Sequence, residues 1–137
     1  MTLPNGYAAE RGTDGAVRVC SIGDLEVERG RAALLGEEQV ALFLLSDGTV
    51  HAVSNLDPYS GANVISRGIV GTRGDAATVA SPMHKQVFDL RTGECLETQG
   101  KPAKHLDVWT VHIVGDDIHL QRAATRTPSG ATLQEVG

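Results

Sequence analysis

The amino-acid sequence predicts an all-β domain, folded as an antiparallel β-sandwich or small barrel, on three observations. About nine short apolar segments are separated by turn signals spaced roughly 8 to 12 residues apart. Asp47-Gly48 lies between two apolar runs, which is a strong hairpin signal because glycine tolerates a positive φ. No amphipathic helical pattern extends beyond two turns, so a layer of helices is not expected.

The first half of the domain is predicted to contain four strands. Gly36 and Glu37 form a tight-turn candidate between two of them, and the continuously apolar run from Val40 to Leu45 predicts a strand buried on both faces. The elements expected here are, in order, a strand at 16–22, a single helical turn or irregular connection at 24–30, and strands at 31–36, 38–46 and directly after Asp47-Gly48.

The second half is predicted to end in a hairpin through Gly115-Asp116. Strict alternation in its last strand places Ile118 and Leu120 inward and His119 and Gln121 outward, and Trp109 is expected in the core. The earlier elements are a glycine-rich link at 66–75, strands at 77–81 and 86–90 that bracket the loop PMHK, and a glycine turn at 91–94 that leads into CLE.

Length and composition limit the domain organisation. The chain has 137 residues, which fits one domain, expected at 16–121 between a flexible N-terminal arm (1–15) and a flexible C-terminal tail (122–137). The net charge is −5 and Lys and Arg are scattered singly, so no nucleic-acid partner is expected. The sequence contains neither a membrane-length apolar run nor a secretory signal, which predicts a cytoplasmic protein with Cys20 and Cys95 reduced.

Two loops carry the features that point to a family. The order is a hairpin, a loop with LDPYSGA, a glycine-rich link, a strand, a second loop with SPMHKQ, and then FDLRTGEC. This order resembles the Rieske [2Fe-2S] domain, in which one loop carries Cys-x-His and the other Cys-x-x-His. The resemblance extends to Phe88 and the Thr92-Gly93 turn after the second loop.

The four ligand positions of that family depart from its pattern. The resemblance places the Cys and His of the first loop at Asp57 and Tyr59, and those of the second loop at Ser81 and His84. Only His84 retains suitable chemistry, because the iron that the two Cys would hold requires soft thiolates, and Asp57 and Ser81 offer hard oxygens there. We therefore expect a degenerate cluster-binding tip with no cofactor and no metal on this chain.

The runs DPYSGANVISRG and SPMHKQVFDLRTGEC are similar to those of the small subunits of assimilatory NAD(P)H-dependent nitrite reductases, over roughly residues 17–121. The resemblance implies a cofactor-free accessory subunit of an enzyme that reduces nitrite to ammonium in nitrate assimilation. It also implies a large subunit that carries siroheme, a [4Fe-4S] cluster and FAD and takes electrons from NAD(P)H. No catalytic residue is expected on this chain itself.

The loops also provide a candidate partner interface. Its expected residues are Asp57, Pro58, Tyr59, Arg67, Met83, His84 and Lys85. Tyr59 is a suitable anchor because tyrosine is enriched at binding hot spots, while turn chemistry alone, with an Asx hydrogen bond from Asp57, also explains the first loop. Two alternative functions stay open: a Rieske-type [2Fe-2S] electron carrier with atypical ligands, and a free-standing β-domain that binds another protein.

Overall fold

The computed structural model describes residues 10, 11 and 16–122. The predicted arm (1–15) and tail (122–137) lie outside the described residues except for Glu10, Arg11 and Arg122, so the domain limits stay a prediction. None of the helices within the described residues has the length and apolar character needed to cross a membrane.

The described part of the chain is built from antiparallel strands and two 3-10 turns, which confirms the all-β prediction. The first 3-10 turn covers Ile22–Asp24 and the second Ile65–Arg67. The segment predicted at 24–30 as a helical turn or an irregular connection is irregular after Asp24. The strands are β1 (Glu10–Arg11), β2 (Val17–Ser21), β3 (Arg31–Leu35), β4 (Glu38–Leu44), β5 (Val50–Ser54), β6 (Ile69–Arg73), β7 (Ala76–Ala80), β8 (Val87–Asp89), β9 (Cys95–Glu97), β10 (Val108–Val114) and β11 (Asp117–Arg122).

Two sheets share these strands. The larger sheet has seven strands in the order β1-β2-β11-β10-β5-β4-β3, and the smaller one has four in the order β6-β7-β8-β9. Every strand pair in both sheets is antiparallel. Short turns connect β3 to β4, β4 to β5, β6 to β7 and β10 to β11, whereas the whole small sheet lies between β5 and its neighbour β10 in the sequence. Three of these loops emerge at one end of the small sheet and form the candidate site described below.

Strand β4 contributes to two hydrophobic cores, as its unbroken apolar run predicts. Val40 and Leu42 pack into a core inside the large sheet, together with Ile118 and Leu120 of β11. The alternate residues of β4, including Phe43, pack into a second core between the large and small sheets, with Phe88 among its members. Side chains alternate across a strand, so an apolar residue at every position is required to supply both cores.

The predicted glycine-rich link at 66–75 is wrong in its second part, because residues 69–73 form β6, paired in register with β7. Gly74 has a φ of +60° and makes the turn between these strands. Gly68 precedes β6 where a Cβ atom would lie 2.5 Å from the Ala80 carbonyl oxygen, so this position requires glycine. The glycine-rich segment at 66–75 therefore contains β6, an edge strand of the small sheet.

The last hairpin confirms most of its predicted register. Ile118 and Leu120 are fully buried, and Gly115 turns between β10 and β11 with a φ of +63°. His119 and Gln121, predicted to face outward, alternate with these two residues and are half-buried. Trp109 is also only half-buried, because its ring lines a surface cleft and is covered on one side by the Arg122 guanidinium, 4.4 Å from the ring centroid.

Candidate functional site

Three loops meet at one end of the small sheet. We call them loop 1 (55–68, between β5 and β6), loop 2 (81–86, between β7 and β8) and loop 3 (98–104, which begins the connection from β9 to β10), and together the tip. Loops 1 and 2 are the two loops singled out in the sequence. Loop 3 was not expected to take part.

Loops 1 and 2 are joined by a buried hydrogen bond. The Ser81 hydroxyl donates to Asp57 Oδ2 at 2.5 Å, and the two residues are 1% and 0% exposed. Asp57 Oδ1 accepts the backbone N–H of Tyr59 at 2.8 Å, which confirms the Asx hydrogen bond considered for this turn. Gly61, with a φ of +78°, completes the turn by donating to the Asp57 carbonyl oxygen at 2.8 Å. The carboxylate of Asp57 thus holds the loops together from inside the protein.

Tyr59 joins loop 1 to loop 3. Its hydroxyl donates to the Pro102 carbonyl oxygen at 2.8 Å and accepts the backbone N–H of Lys104 at 2.9 Å. Burial of the hydroxyl, followed by its contact with Cys95, raises the pKa of Tyr59. Lys104 also contacts loop 1 through its side chain: its Nζ donates to the Pro58 carbonyl oxygen at 3.2 Å and lies 5.5 Å from the Tyr59 ring centroid.

Loop 2 is bonded to loop 3 as well, so each loop of the tip is hydrogen-bonded to the other two. Gln99 Nε2 donates to the Lys85 carbonyl oxygen at 3.1 Å. Both residues have a positive φ, +67° at Lys85 and +57° at Gln99, which residues other than glycine rarely adopt. The Lys85 N–H donates to the Ser81 carbonyl oxygen at 3.0 Å and closes loop 2 as a tight turn.

The four ligand positions do not fit a [2Fe-2S] cluster. Asp57 and Ser81 supply oxygens in place of thiolates and already bond to each other, and the Tyr59 hydroxyl is committed to loop 3. His84 alone is exposed and forms no hydrogen bond with the described residues. No group of three or more His, Cys, Asp and Glu side chains within the described ranges is arranged to hold a metal ion.

The candidate interface residues divide into three classes of exposure. Asp57 is fully buried, so its side chain is not available to a partner. Pro58 and Tyr59 are half-buried and support the loops. The exposed candidates are Arg67, Met83, His84 and Lys85.

Two further cations at the tip were missed in the sequence. Lys101 and Lys104 are exposed in loop 3. The available signal was weak: residues 98–104 contain two lysines and no acidic residue. Nothing local in the sequence indicated that this segment lies against loops 1 and 2.

A cleft of about 230 Å³ lies beside loop 1. Arg122 lies in it, forms an ion pair with Glu38, and approaches Asp107 at 4.0 Å while stacking on Trp109. The positive charge of Arg122 is thus offset by its two carboxylate neighbours, and with Glu37 the lining of the cleft is acidic on balance.

Comparisons with known proteins agree on one family. The family model for Rieske-like [2Fe-2S] domains matches residues 16–121. The nitrite reductase (NADH) small subunit of Escherichia coli strain K12 is 41% identical over 90 residues, which are 65% of this chain and 83% of that protein.

Two further comparisons extend this result. A Mycobacterium tuberculosis crystal structure, named as an NADH-dependent nitrite reductase small subunit, has 43% identity and a TM-score of 0.72, covering 80% of this chain and 96% of its own. The nitrite reductase [NAD(P)H] large subunit of Klebsiella oxytoca contains a similar segment, 44% identical over 75 residues. That segment is 55% of this chain and 8% of that protein.

Proposed function

This chain belongs to the nitrite reductase small-subunit family, built on the Rieske-like [2Fe-2S] domain, and from this premise we propose its function. It is the small subunit of an NAD(P)H-dependent nitrite reductase, and its partner is the large subunit of that enzyme. The complex works in the cytoplasm, where NAD(P)H is available. The large subunit carries the siroheme, the [4Fe-4S] cluster and the FAD.

We propose that this chain binds and supports the large subunit and carries no cluster of its own. The hydrogen bond from Ser81 to Asp57 is the observation that carries this proposal. In a Rieske domain the cluster itself links the two loops, because each loop provides two of its ligands. In this chain the hydrogen bond between the Ser81 and Asp57 oxygens links the two loops instead. The loops therefore keep their arrangement although the thiolates that iron requires are missing.

The Klebsiella oxytoca protein supports the choice of partner. A segment similar to this chain makes up 8% of that large subunit, so the two parts belong to one polypeptide in that protein. Covalent linkage holds two domains at a high effective concentration and favours contact between them. A separate small subunit has to achieve the same contact through its surface, and the exposed residues of the tip are the proposed place.

A metal analysis tests the absence of a cluster. The full chain is produced and purified without oxygen, and its iron content, its absorbance between about 400 and 600 nm and its EPR spectrum after dithionite reduction are measured. We expect a colourless protein with no stoichiometric iron and no EPR signal. Iron near two atoms per chain with a reducible chromophore would instead establish the electron-carrier alternative.

Co-purification tests the partner. An affinity-tagged full chain is expressed with the large subunit, and the complex is isolated and assayed for nitrite-dependent NAD(P)H oxidation, with the large subunit alone as the control. We expect a stable complex and a higher rate or longer-lasting activity than the large subunit shows alone. Capture of proteins unrelated to nitrite reduction, without the large subunit, would favour the free-standing binding domain.

A further inference from the structure

Charge is distributed unevenly between the tip and the rest of the chain. The three loops contain four of the chain's 12 Lys and Arg residues but one of its 17 Asp and Glu residues. That acidic residue, Asp57, is fully buried, whereas all four cations are exposed. The tip is therefore a positive surface on a protein whose net charge is −5, and the fold assembles it from residues that lie far apart in the sequence.

The four cations of the tip have no acidic partner, unlike five arginines elsewhere in the described chain. Outside the tip, Arg18, Arg29, Arg73, Arg91 and Arg122 each form an ion pair with an Asp or Glu side chain. Arg67, Lys85, Lys101 and Lys104 form no ion pair with any described residue. Four exposed cations without a counter-charge at one end of the protein attract an acidic surface.

Two large apolar side chains lie at the same end. Met83 in loop 2 is 49% exposed, and Ile69 at the start of β6 is 71% exposed. Ile69 pairs with Ala80, the residue directly before loop 2, so the register of the small sheet places both at this end. Apolar contacts combined with a polar rim are the usual composition of a protein interface, whereas a polyanion such as DNA offers mainly phosphates.

We propose that the tip is a docking surface for an acidic patch on the nitrite reductase large subunit. Met83 and Ile69 pack against an apolar part of that patch, and the cations pair with its Asp and Glu side chains. This inference rests on the proposed function and adds the chemistry of the partner surface. The residues that form the docking surface are Arg67, Ile69, Met83, Lys85, Lys101 and Lys104.

The charge on the remaining surface of the chain favours docking to the large subunit through the tip. Acidic residues outnumber basic ones in the chain as a whole, and the excess lies outside the tip. An acidic patch on the partner repels those faces and attracts the tip, so the long-range field selects the docking orientation before contact. Charges at the edge of an interface act mainly on the association rate, whereas the packed apolar contacts act mainly on dissociation.

The test uses charge reversal at the tip with a matched control. Arg67 and Lys101 are chosen because their side chains form no hydrogen bond or ion pair with the described residues, so R67E/K101E removes no interaction of either kind within the protein. The control R18E/R91E makes the same change in net charge outside the tip, at the half-buried Arg18 of β2 and at the exposed Arg91 in the turn at the far end of β8. Unfolding curves in urea verify that every variant is folded.

Association and dissociation rates with the purified large subunit are measured at 50, 150 and 500 mM NaCl. For the natural chain we expect the association rate to fall at least about tenfold across this range. R67E/K101E is expected to associate at least about tenfold more slowly at low salt, and the control within about twofold of the natural chain. Met83→Ala is expected to accelerate dissociation at every salt concentration, because it removes an apolar contact.

Each other outcome overturns a distinct statement. If the natural chain does not bind the large subunit, both the proposed function and this inference are wrong. If it binds but R67E/K101E behaves like the control, the partner stands and the docking surface is wrong. If R67E/K101E keeps its affinity for the large subunit while losing binding to a duplex DNA probe, the tip recognises nucleic acid instead.

Discussion

The hydrogen bond from Ser81 to Asp57 predicts a measurable coupling between loops 1 and 2. We consider S81A, D57A and the double variant S81A/D57A in the full chain. Ser81→Ala removes the hydroxyl that donates to Asp57 Oδ2 at 2.5 Å and that also accepts the Met83 N–H at 3.2 Å. It leaves a fully buried carboxylate oxygen without this donor.

The size of the effect follows from burial and charge. A hydrogen bond to a charged group contributes about 1.5 to 3 kcal/mol, and leaving its buried partner unsatisfied is costly. We therefore expect Ser81→Ala to lower the free energy of unfolding by about 2 to 3 kcal/mol. Asp57→Ala should cost more, because it also removes the acceptor of the Tyr59 N–H at 2.8 Å and leaves a void.

A double-mutant cycle isolates the bond itself. Urea unfolding at pH 7, followed by tryptophan fluorescence and circular dichroism, gives the free energy of each variant. The coupling energy is expected to be about 1.5 to 3 kcal/mol. Ser60→Ala is the matched control, since its hydroxyl only accepts the nearby Ala62 N–H at 3.2 Å, and it should cost less than about 1 kcal/mol.

A coupling energy below about 0.5 kcal/mol would refute the reasoning. It would mean that the two loops hold their arrangement without this bond and that the bond has not replaced the cluster as their link. The same result with a large effect of Ser60→Ala would place the stability of the tip in the local turns of loop 1.

Three further predictions concern the cores and the titrating groups. Phe88→Ala, at a fully buried ring, should cost about 3 to 5 kcal/mol in urea unfolding, against less than about 1 kcal/mol for the exposed Leu96→Ala; a loss below about 2 kcal/mol for Phe88→Ala would contradict its place in the core. Burial lowers the pKa of His51 below its ordinary value of 6.5, so the imidazole binds a proton more readily in the unfolded chain than in the folded one. The contribution of neutral His51 to folding stability is therefore fully present above about pH 6.5 and decreases as the pH falls below it. His51→Gln should reduce the difference in urea midpoint between pH 7.5 and 5.5, and an unchanged difference would exclude this histidine as the cause. Burial raises the pKa of Cys20 to about 11, so its thiol is unreactive in the folded protein. Iodoacetamide at pH 8 should therefore label the half-buried Cys95 first and Cys20 only in urea, as measured by peptide mass spectrometry. Equal labelling rates in the native protein would contradict this.

Much of the fold was predictable because its signals are local. The Asp47-Gly48 turn, with a φ of +89° at Gly48, and the apolar run of β4 each depend on a few consecutive residues. The Thr92-Gly93 turn also carries a local signal, since Gly93 has a φ of +79° that glycine adopts readily. Strand β6 was missed because the glycines around it weaken the strand pattern, although its pairing with β7 is regular.

The sequence by itself determined the fold class, the family and the loss of thiolates at positions 57 and 81, because residue identity and short-range pattern are sufficient for each. Only the tertiary structure decided that Asp57 is buried, that Tyr59 contacts loop 3 and that four cations share one end. These facts depend on pairs such as Asp57 with Ser81, 24 residues apart, and Tyr59 with Lys104, 45 residues apart. Burial and electrostatic field are sums over such distant neighbours, and the order of residues along the chain does not contain them until the sheets have brought the loops together.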